Sequence, residues 1–86
     1  MRDFAPDPIP SLKQQLRLVI IDALSGWSQE NAAEWLGTDQ PRVSNLYRGN
    51  LERMSLEQLI RFTTRIKRRV VLVVHDERSG IGRRLP

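Results

Sequence analysis

The fold is decided by residues 29–48, which read QENAAEWLGTDQPRVSNLYR and are followed by a glycine. Ala33 stands four places before Gly37, a spacing typical of two short helices that cross closely at a tight turn. A glycine at that turn can adopt a positive φ at no steric cost. Beyond the turn, Val43 and Leu46 stand three residues apart and project from one side of a second helix. The stretch therefore predicts two packed helices joined at Gly37.

The opposite side of that second helix is polar. An amide side chain can bond two atoms of an adenine edge in the major groove of DNA, and a guanidinium can do the same to guanine. The polar side carries such groups and their neighbours: Gln40, Arg42, Ser44, Asn45 and Arg48. This combination of residue types is typical of a helix that reads base edges.

Four short motifs lie in and around this stretch: Ser28-Gln29-Glu30, Leu36-Gly37, Gln40-Pro41-Arg42-Val43-Ser44 and Leu46-Tyr47-Arg48-Gly49-Asn50. Together they resemble the Xre-type helix-turn-helix family, which includes phage repressors of the lambda type and many bacterial antitoxins. They look most like the small HigA-like antitoxins of type II toxin-antitoxin modules, and the likeness runs over residues 12–74. The resemblance implies an all-α, lambda-repressor-like bundle of about four to five helices.

The resemblance also implies roles for individual residues. Positions that face bases in the family match Gln40, Pro41, Arg42 and Asn45, and positions that grip phosphate match Gln29 and Arg48, to which we add Ser44. Pro41 departs from the polar residue common there in phage repressors, so its expected contact is apolar, with a thymine methyl. Each of three residues also has an explanation that needs no contact with DNA. Gln40 can simply occupy the first turn of the helix, Asn45 can be a solvated surface amide, and Arg48 can compensate the partial negative charge of the helix C-terminus.

Length and composition limit the classes of function. A chain of 86 residues predicts one domain, and a domain this small buries only about 60–65% of its unfolded surface, so a partner subunit would add stability. The chain has no cysteine and one histidine, His75, which excludes disulfides, thiol chemistry and histidine clusters for metals. Glu30 and Glu34 share a helix face without a base beside them, so we expect no enzyme, no metal and no cofactor.

The sequence has no apolar run long enough for a membrane span and no long apolar signal core, which predicts a soluble, cytoplasmic protein. The net charge of +4 is unevenly spread. Residues 1–57 hold six cations and eight acids, whereas residues 58–86 hold eight cations and two acids. The C-terminal third thus supplies a positive field that attracts polyanions without sequence preference, although such a run alone is also typical of a solvated face.

Prolines at positions 6, 8 and 10 predict an extended N-terminal arm over residues 1–10. The helix-turn-helix domain is then expected over residues 11–76. Ser11 is predicted to cap a first helix that ends near Leu24. The apolar stripe predicted for this helix is Leu12, Leu16, Val19, Ile20, Ala23 and Leu24.

Two tryptophans flank the second helix. Trp27 precedes Ser28, a good N-cap, and a large apolar residue there can pack onto the first helical turn, so Trp27 is predicted to lie in the core. Trp35 occupies a position that is usually polar and exposed in the resembled family. We expect it either to contact a protein partner or to lie back over its own helix.

The last part of the domain is predicted to contain a fourth helix and a strand. Ser55 opens the capping pattern Ser-Leu-Glu-Gln, and the inner face of the helix is predicted to be Leu56, Leu59, Ile60, Thr63 and Ile66, with Phe62 outside it. A strand covered on both faces is expected over residues 69–75. Residues 77–86 are polar and glycine-rich and are expected to form a mobile basic tail.

The strand predicts a homodimer, because no second strand is evident and an unpaired strand needs a partner chain. We expect the same strand of a second subunit to pair with it across a two-fold axis. The dimerisation residues are Val70, Val71, Leu72, Val73 and Val74.

The predicted function is a repressor that binds double-stranded DNA at a palindromic operator. The resemblance implies a second role as the antitoxin that neutralises a small toxin encoded beside it. The alternatives are a stand-alone or phage-derived regulator without a toxin partner, and a protein adaptor that retains the fold without binding DNA.

Overall fold

The computed structural model describes residues 7–76 and, for the backbone alone, residues 81–84. In chain order the elements are α1 (Ile9–Ala23), α2 (Gln29–Leu36), α3 (Gln40–Arg48), α4 (Leu56–Arg65), β1 (Val73–Asp76) and β2 (Ile81–Arg84). Helix α1 packs against α4 and α3, and α2 packs against α3 and α4. The expected helical bundle with a C-terminal strand is present, with four helices. None of the helices in residues 7–76 combines the length and the apolar character needed to cross a membrane.

Side-chain caps and a glycine bound the two helices of the deciding stretch. The Ser28 hydroxyl accepts a hydrogen bond from the Asn31 amide at 3.0 Å, and α2 ends at Gly37 with φ 72°. Helix α3 begins after Asp39, whose Oδ1 accepts from the Arg42 amide at 2.9 Å. Each side chain accepts a hydrogen bond from a first-turn N–H that has no acceptor within its own helix. The prediction of two helices joined at Gly37 is confirmed.

The core lies between all four helices and includes the side chains that the deciding stretch contributes. Ala33, Leu36, Val43 and Leu46 are all buried, as their spacing predicts. The full set of buried apolar residues is Ile20, Leu24, Ala32, Ala33, Leu36, Val43, Leu46, Leu51, Met54, Leu59, Phe62 and Ile66. Helix α1 contributes Ile20 and its C-cap residue Leu24 contributes a second side chain, whereas Val19 of the predicted stripe is 42% exposed.

Helix α1 begins earlier than predicted. It starts at Ile9, whose amide donates to Asp7 Oδ1 at 3.0 Å, and Ser11 lies inside the helix instead of capping it. Pro10 fits in the first turn because amides there have no acceptor within the helix. The prediction of a non-helical arm over residues 1–10 is therefore wrong at its last two residues, and residues 1–6 lie outside the described residues.

Two aromatic residues are placed differently from expectation. Trp27 is not in the core: it is 45% exposed and stacks on Trp35, with ring centroids 4.5 Å apart and planes 26° apart. Trp35 is half-buried against the core. Phe62, predicted to lie outside the inner face of α4, is 5% exposed and belongs to the core. It is buried because α4 packs against both α1 and α2, which widens its buried face beyond one stripe.

The prediction that the chain has no second strand is wrong. The strand expected over residues 69–75 is shorter and begins later, since β1 covers Val73–Asp76. It pairs antiparallel with β2 of the same chain, with Val73 opposite Arg84 and Asp76 opposite Ile81. Residues 81–84, predicted to be part of a mobile tail, form β2; residues 77–80 and 85–86 lie outside the described residues. Residues 70–74 were expected to be covered on both faces, yet all five side chains are exposed, by 40–61%. One edge of β1 is thus paired without a second subunit.

Candidate DNA-binding surface

The outer side of α3 brings together most of the predicted site residues. Gln40, Pro41, Arg42 and Arg48 are exposed, and Ser44 and Asn45 are half-buried, while Val43 and Leu46 hold the other side in the core. Helix α3 has nine residues, or about two and a half turns, and the diameter of an α-helix, about 10–12 Å, fits the major groove of DNA. The helix therefore presents a continuous polar surface on a fixed scaffold.

Arg42 is held close to the start of α3 by Asp39. Its Nη1 lies 3.0 Å from Asp39 Oδ2, and the two side chains are 53% and 54% exposed. Asp39 thus caps α3 and also pairs with its first cation. An ion pair this exposed contributes little stability, on the order of 0.2–1 kcal/mol, so Arg42 can leave Asp39 for a stronger acceptor at small cost.

Two residues beyond α3 that were not predicted as site residues join this surface. Asn50 and Arg53, with Glu52 and Asn45, line an open depression of about 430 Å³ beside the second half of α3. The Asn50 amide donates to the Asn45 carbonyl at 2.9 Å, which ties the loop to the helix end. The signal available in the sequence was Arg53, a cation shortly after the Gly49-Asn50 helix end. Arg53 adds an exposed positive charge at the edge of the surface.

The start of α2 is a second polar feature. Gln29 is its first residue and is exposed, next to the Ser28 cap. Helix N-termini carry a partial positive charge and free amides, which suit phosphate oxygens. Glu30 in the same turn stabilises the helix dipole but opposes an anion, so the contribution of this terminus to phosphate binding rests on Gln29 and its amide.

Cations after the helix-turn-helix are exposed, as expected for a positive field. Arg65 lies beside the turn between α2 and α3, where its Nε donates to the Trp35 carbonyl at 3.0 Å. The other exposed cations of this region are Arg61, Lys67, Arg68 and Arg69. Within residues 7–76, no group of three potential metal-binding side chains occurs, and His75 is an exposed residue of β1.

Comparison with known proteins agrees with this geometry. Residues 3–75 match the model of a family described as a helix-turn-helix domain. A solved structure, provisionally named an XRE family transcriptional regulator, superposes with a TM-score of 0.74 at 28% sequence identity and covers 90% of each chain. No curated protein gives a significant match. Since the family match spans most of the 86 residues, this chain belongs to that helix-turn-helix domain family.

Proposed function

We propose that this protein is a sequence-specific DNA-binding transcriptional repressor of the Xre type, which inserts α3 into the major groove. The observation that carries the proposal is the division of α3 into a buried apolar side and an exposed polar side that begins just after the Gly37 turn. Similarity over 90% of the chain to a protein named as an XRE family regulator supports it.

In this proposal, base and phosphate contacts have separate residues. Gln40, Arg42 and Asn45 read base edges, and Pro41 contacts a thymine methyl. Phosphates are bound by a second set: Gln29, Ser44, Arg48 and, from the structure, Asn50 and Arg53. Arg42 exchanges Asp39 for a guanine edge when DNA arrives, because a bidentate contact is stronger than an exposed ion pair.

The test begins with selection of bound duplexes from a random DNA library, followed by titration at several salt concentrations. If each of two subunits contacts about three to four phosphates, log K falls with log[salt] with a slope of about −5 to −7. A slope near zero contradicts DNA binding. Gln40→Ala is expected to cost about 1–3 kcal/mol on the selected duplex alone, and Arg48→Ala to weaken all duplexes about equally. Equal losses on selected and random DNA for Gln40→Ala would assign Gln40 to the backbone.

We further propose that the repressor binds its palindromic operator as a homodimer through residues 70–74. Because β2 occupies one edge of β1, the contact uses the other edge of β1 together with an apolar groove. That groove, of about 210 Å³, is lined mostly by apolar residues: Leu12, Gln15, Leu16, Leu56, Ile60, Val70, Val71 and Leu72. Half-sites are then expected about one helical turn apart, near 34 Å.

Sedimentation at tens of micromolar tests the homodimer. Leu72→Glu places a charge in the groove and is expected to yield monomers that lose operator affinity. Leu18→Glu is the control, since Leu18 is 62% exposed and does not line the groove. Val73→Pro is a second disruption, although it also disturbs the hairpin. A monomeric unmodified chain would contradict the homodimer.

The finer proposal is that this repressor is an antitoxin. It is supported by the likeness of its motifs to the HigA-like group and by the Trp27–Trp35 stack, an aromatic surface with one ring 45% exposed. Co-expression with the neighbouring reading frame tests it. We expect the double variant Gln40→Ala, Asn45→Ala still to rescue growth, and the variant Trp35→Ala to fail to rescue it. A neighbouring frame that is harmless on its own would instead favour the alternative, a stand-alone regulator.

A further inference from the structure

The C-terminal end of α3 is held by an arginine from α1. Arg17 donates two hydrogen bonds of 2.6 Å, from Nε to the carbonyl of Leu46 and from Nη2 to the carbonyl of Tyr47. These carbonyls belong to the last turn of α3, where carbonyls lack the amide partner four residues ahead that the helix interior provides. The Leu46 carbonyl also accepts from the Gly49 amide at 3.2 Å. The planar guanidinium matches two neighbouring carbonyls, and its charge faces the negative end of the helix dipole.

The same side of α1 also holds the segment that follows α3. Gln14 Nε2 donates to the Gly49 carbonyl at 3.1 Å, and Lys13 Nζ donates to the Leu51 carbonyl at 3.3 Å. Gly49 has φ 81°, and a Cβ atom there would lie 3.5 Å from Arg17 Cζ, so the guanidinium packs directly beside the chain reversal. Three side chains of α1 thus bind four carbonyls within residues 46–51, at the end of α3 and just after it.

Other restraints on α3 are few. Its start is fixed by the Asp39 cap and the Gly37 turn, and its middle by the buried side chains Val43 and Leu46. At the far end, the Gly49 and Asn50 backbone amides close the helix on the Leu46 and Asn45 carbonyls. The side-chain bonds to this end come from α1, and Arg17 makes the two shortest of them. Without Arg17, the last turn of α3 loses its charged partner and two hydrogen bonds to α1, so that its tilt is restrained by the packing of Leu46 and Tyr47 with fewer polar contacts.

We propose that Arg17, which binds the C-terminal end of α3, is a positioning residue for operator recognition and sets the angle at which α3 enters the groove. The inference rests on the proposed DNA-binding function. Hydrogen bonds to base edges depend steeply on distance and angle, whereas long cationic side chains follow phosphates through small displacements. A tilted α3 therefore loses base contacts before it loses phosphate contacts.

The test compares Arg17→Met, which keeps the aliphatic bulk and removes the donors, with Arg61→Met, which removes one charge from a side chain that is 78% exposed. The Kd is measured for the selected operator and for a random duplex of equal length, at one salt concentration. Arg17→Met is expected to raise the operator Kd about 10- to 100-fold, the discrimination carried by one or two base contacts. Its random-duplex Kd is expected to match that of Arg61→Met.

Arg17→Lys keeps the charge but loses the two-pronged guanidinium that binds both carbonyls. Its operator Kd is expected to fall between those of Arg17→Met and the unmodified protein. It serves as the test variant if Arg17→Met fails to fold by circular dichroism. Equal weakening of operator and random duplex by either variant overturns the proposal, because Arg17 would then contribute charge or general stability only.

Amide hydrogen exchange separates this inference from the proposed function. Loss of Arg17 is expected to speed exchange at Tyr47–Arg48 and at Asn50 more than in α2, with or without DNA. Unchanged exchange at those amides overturns the positioning role. If the unmodified protein selects no duplex at all, the proposed function fails, while the exchange result still reports whether Arg17 holds α3.

Discussion

The guanidinium of Arg65 lies against Gly37, where a Cβ atom would come within 3.2 Å of Nη2. The same side chain donates to the carbonyl of Trp35, so α4 supports the turn between α2 and α3 from outside. Gly37 therefore has two reasons to be glycine: its left-handed backbone and the approach of Arg65.

Replacement of Gly37 by Ala is expected to lower the free energy of unfolding by about 1–2 kcal/mol through backbone strain, and by a further 0.5–1 kcal/mol or so through the disturbed Arg65 hydrogen bond. Gly26→Ala is the matched control, because Gly26 has φ 85° and no atom lies within 4 Å of the added Cβ. Urea unfolding of both variants gives the comparison. Equal losses of unfolding free energy in the two variants would show that the Arg65 side chain moves aside at no cost and that backbone strain alone disfavours Ala at Gly37.

Replacement of Asp39 by Asn is expected to tighten DNA binding with little change in stability. Asn retains the N-cap acceptor but removes the charge that holds Arg42. The operator Kd is expected to fall about 2- to 5-fold at low salt, the range of an exposed ion pair. Asp39→Ala, which removes the cap as well, should also lose about 1 kcal/mol of unfolding free energy. Weaker binding by Asp39→Asn would mean that the ion pair holds Arg42 in its binding position.

Truncation of Phe62 to Ala is expected to cost about 3–5 kcal/mol, because it empties a side-chain site in the core of a small domain. Phe62→Leu keeps most of the volume and should cost clearly less. Urea midpoints, compared at constant m-value, measure both. A cost below about 1 kcal/mol for Phe62→Ala would place the side chain outside the core.

Loss of one ring from the Trp27–Trp35 stack is expected to have a small but measurable effect. Trp27→Ala should lower the unfolding free energy by about 0.5–1.5 kcal/mol and remove the near-ultraviolet circular dichroism of the coupled indoles. Leu18→Ala is the control, since Leu18 is 62% exposed. An unchanged near-ultraviolet spectrum in Trp27→Ala would show that the rings do not stack in solution.

The helix-turn-helix was predictable because its signals are local. Ser28, Asp39 and Ser55 cap their helices through side chains that act within one turn, and Gly37 is read from the backbone conformation that the turn requires. The assignment of base and phosphate contacts stays a prediction, although α3 places its polar residues on one exposed surface.

The errors arose where a distant element decides the outcome. Phe62 is buried because two helices contact α4, which the apolar pattern of α4 alone does not reveal. The sequence IGRR has no alternation and low strand preference, and it forms β2 because β1 supplies hydrogen-bonding partners. The hydrogen bonds from Arg17 to carbonyls of α3 likewise could not be predicted from the sequence, since Arg17 and Leu46 are 29 positions apart in the chain.

The separation of α3 into a buried pair, Val43 and Leu46, and an exposed polar side has an evolutionary consequence. Substitutions on an exposed side usually change stability by no more than about 0.5 kcal/mol. Under the proposed base contacts, a duplicated copy of this chain can therefore acquire a new target sequence by changing the exposed Gln40 or Arg42 while its fold persists. Divergence of specificity between sister proteins would require few mutations and no compensating repair of the core.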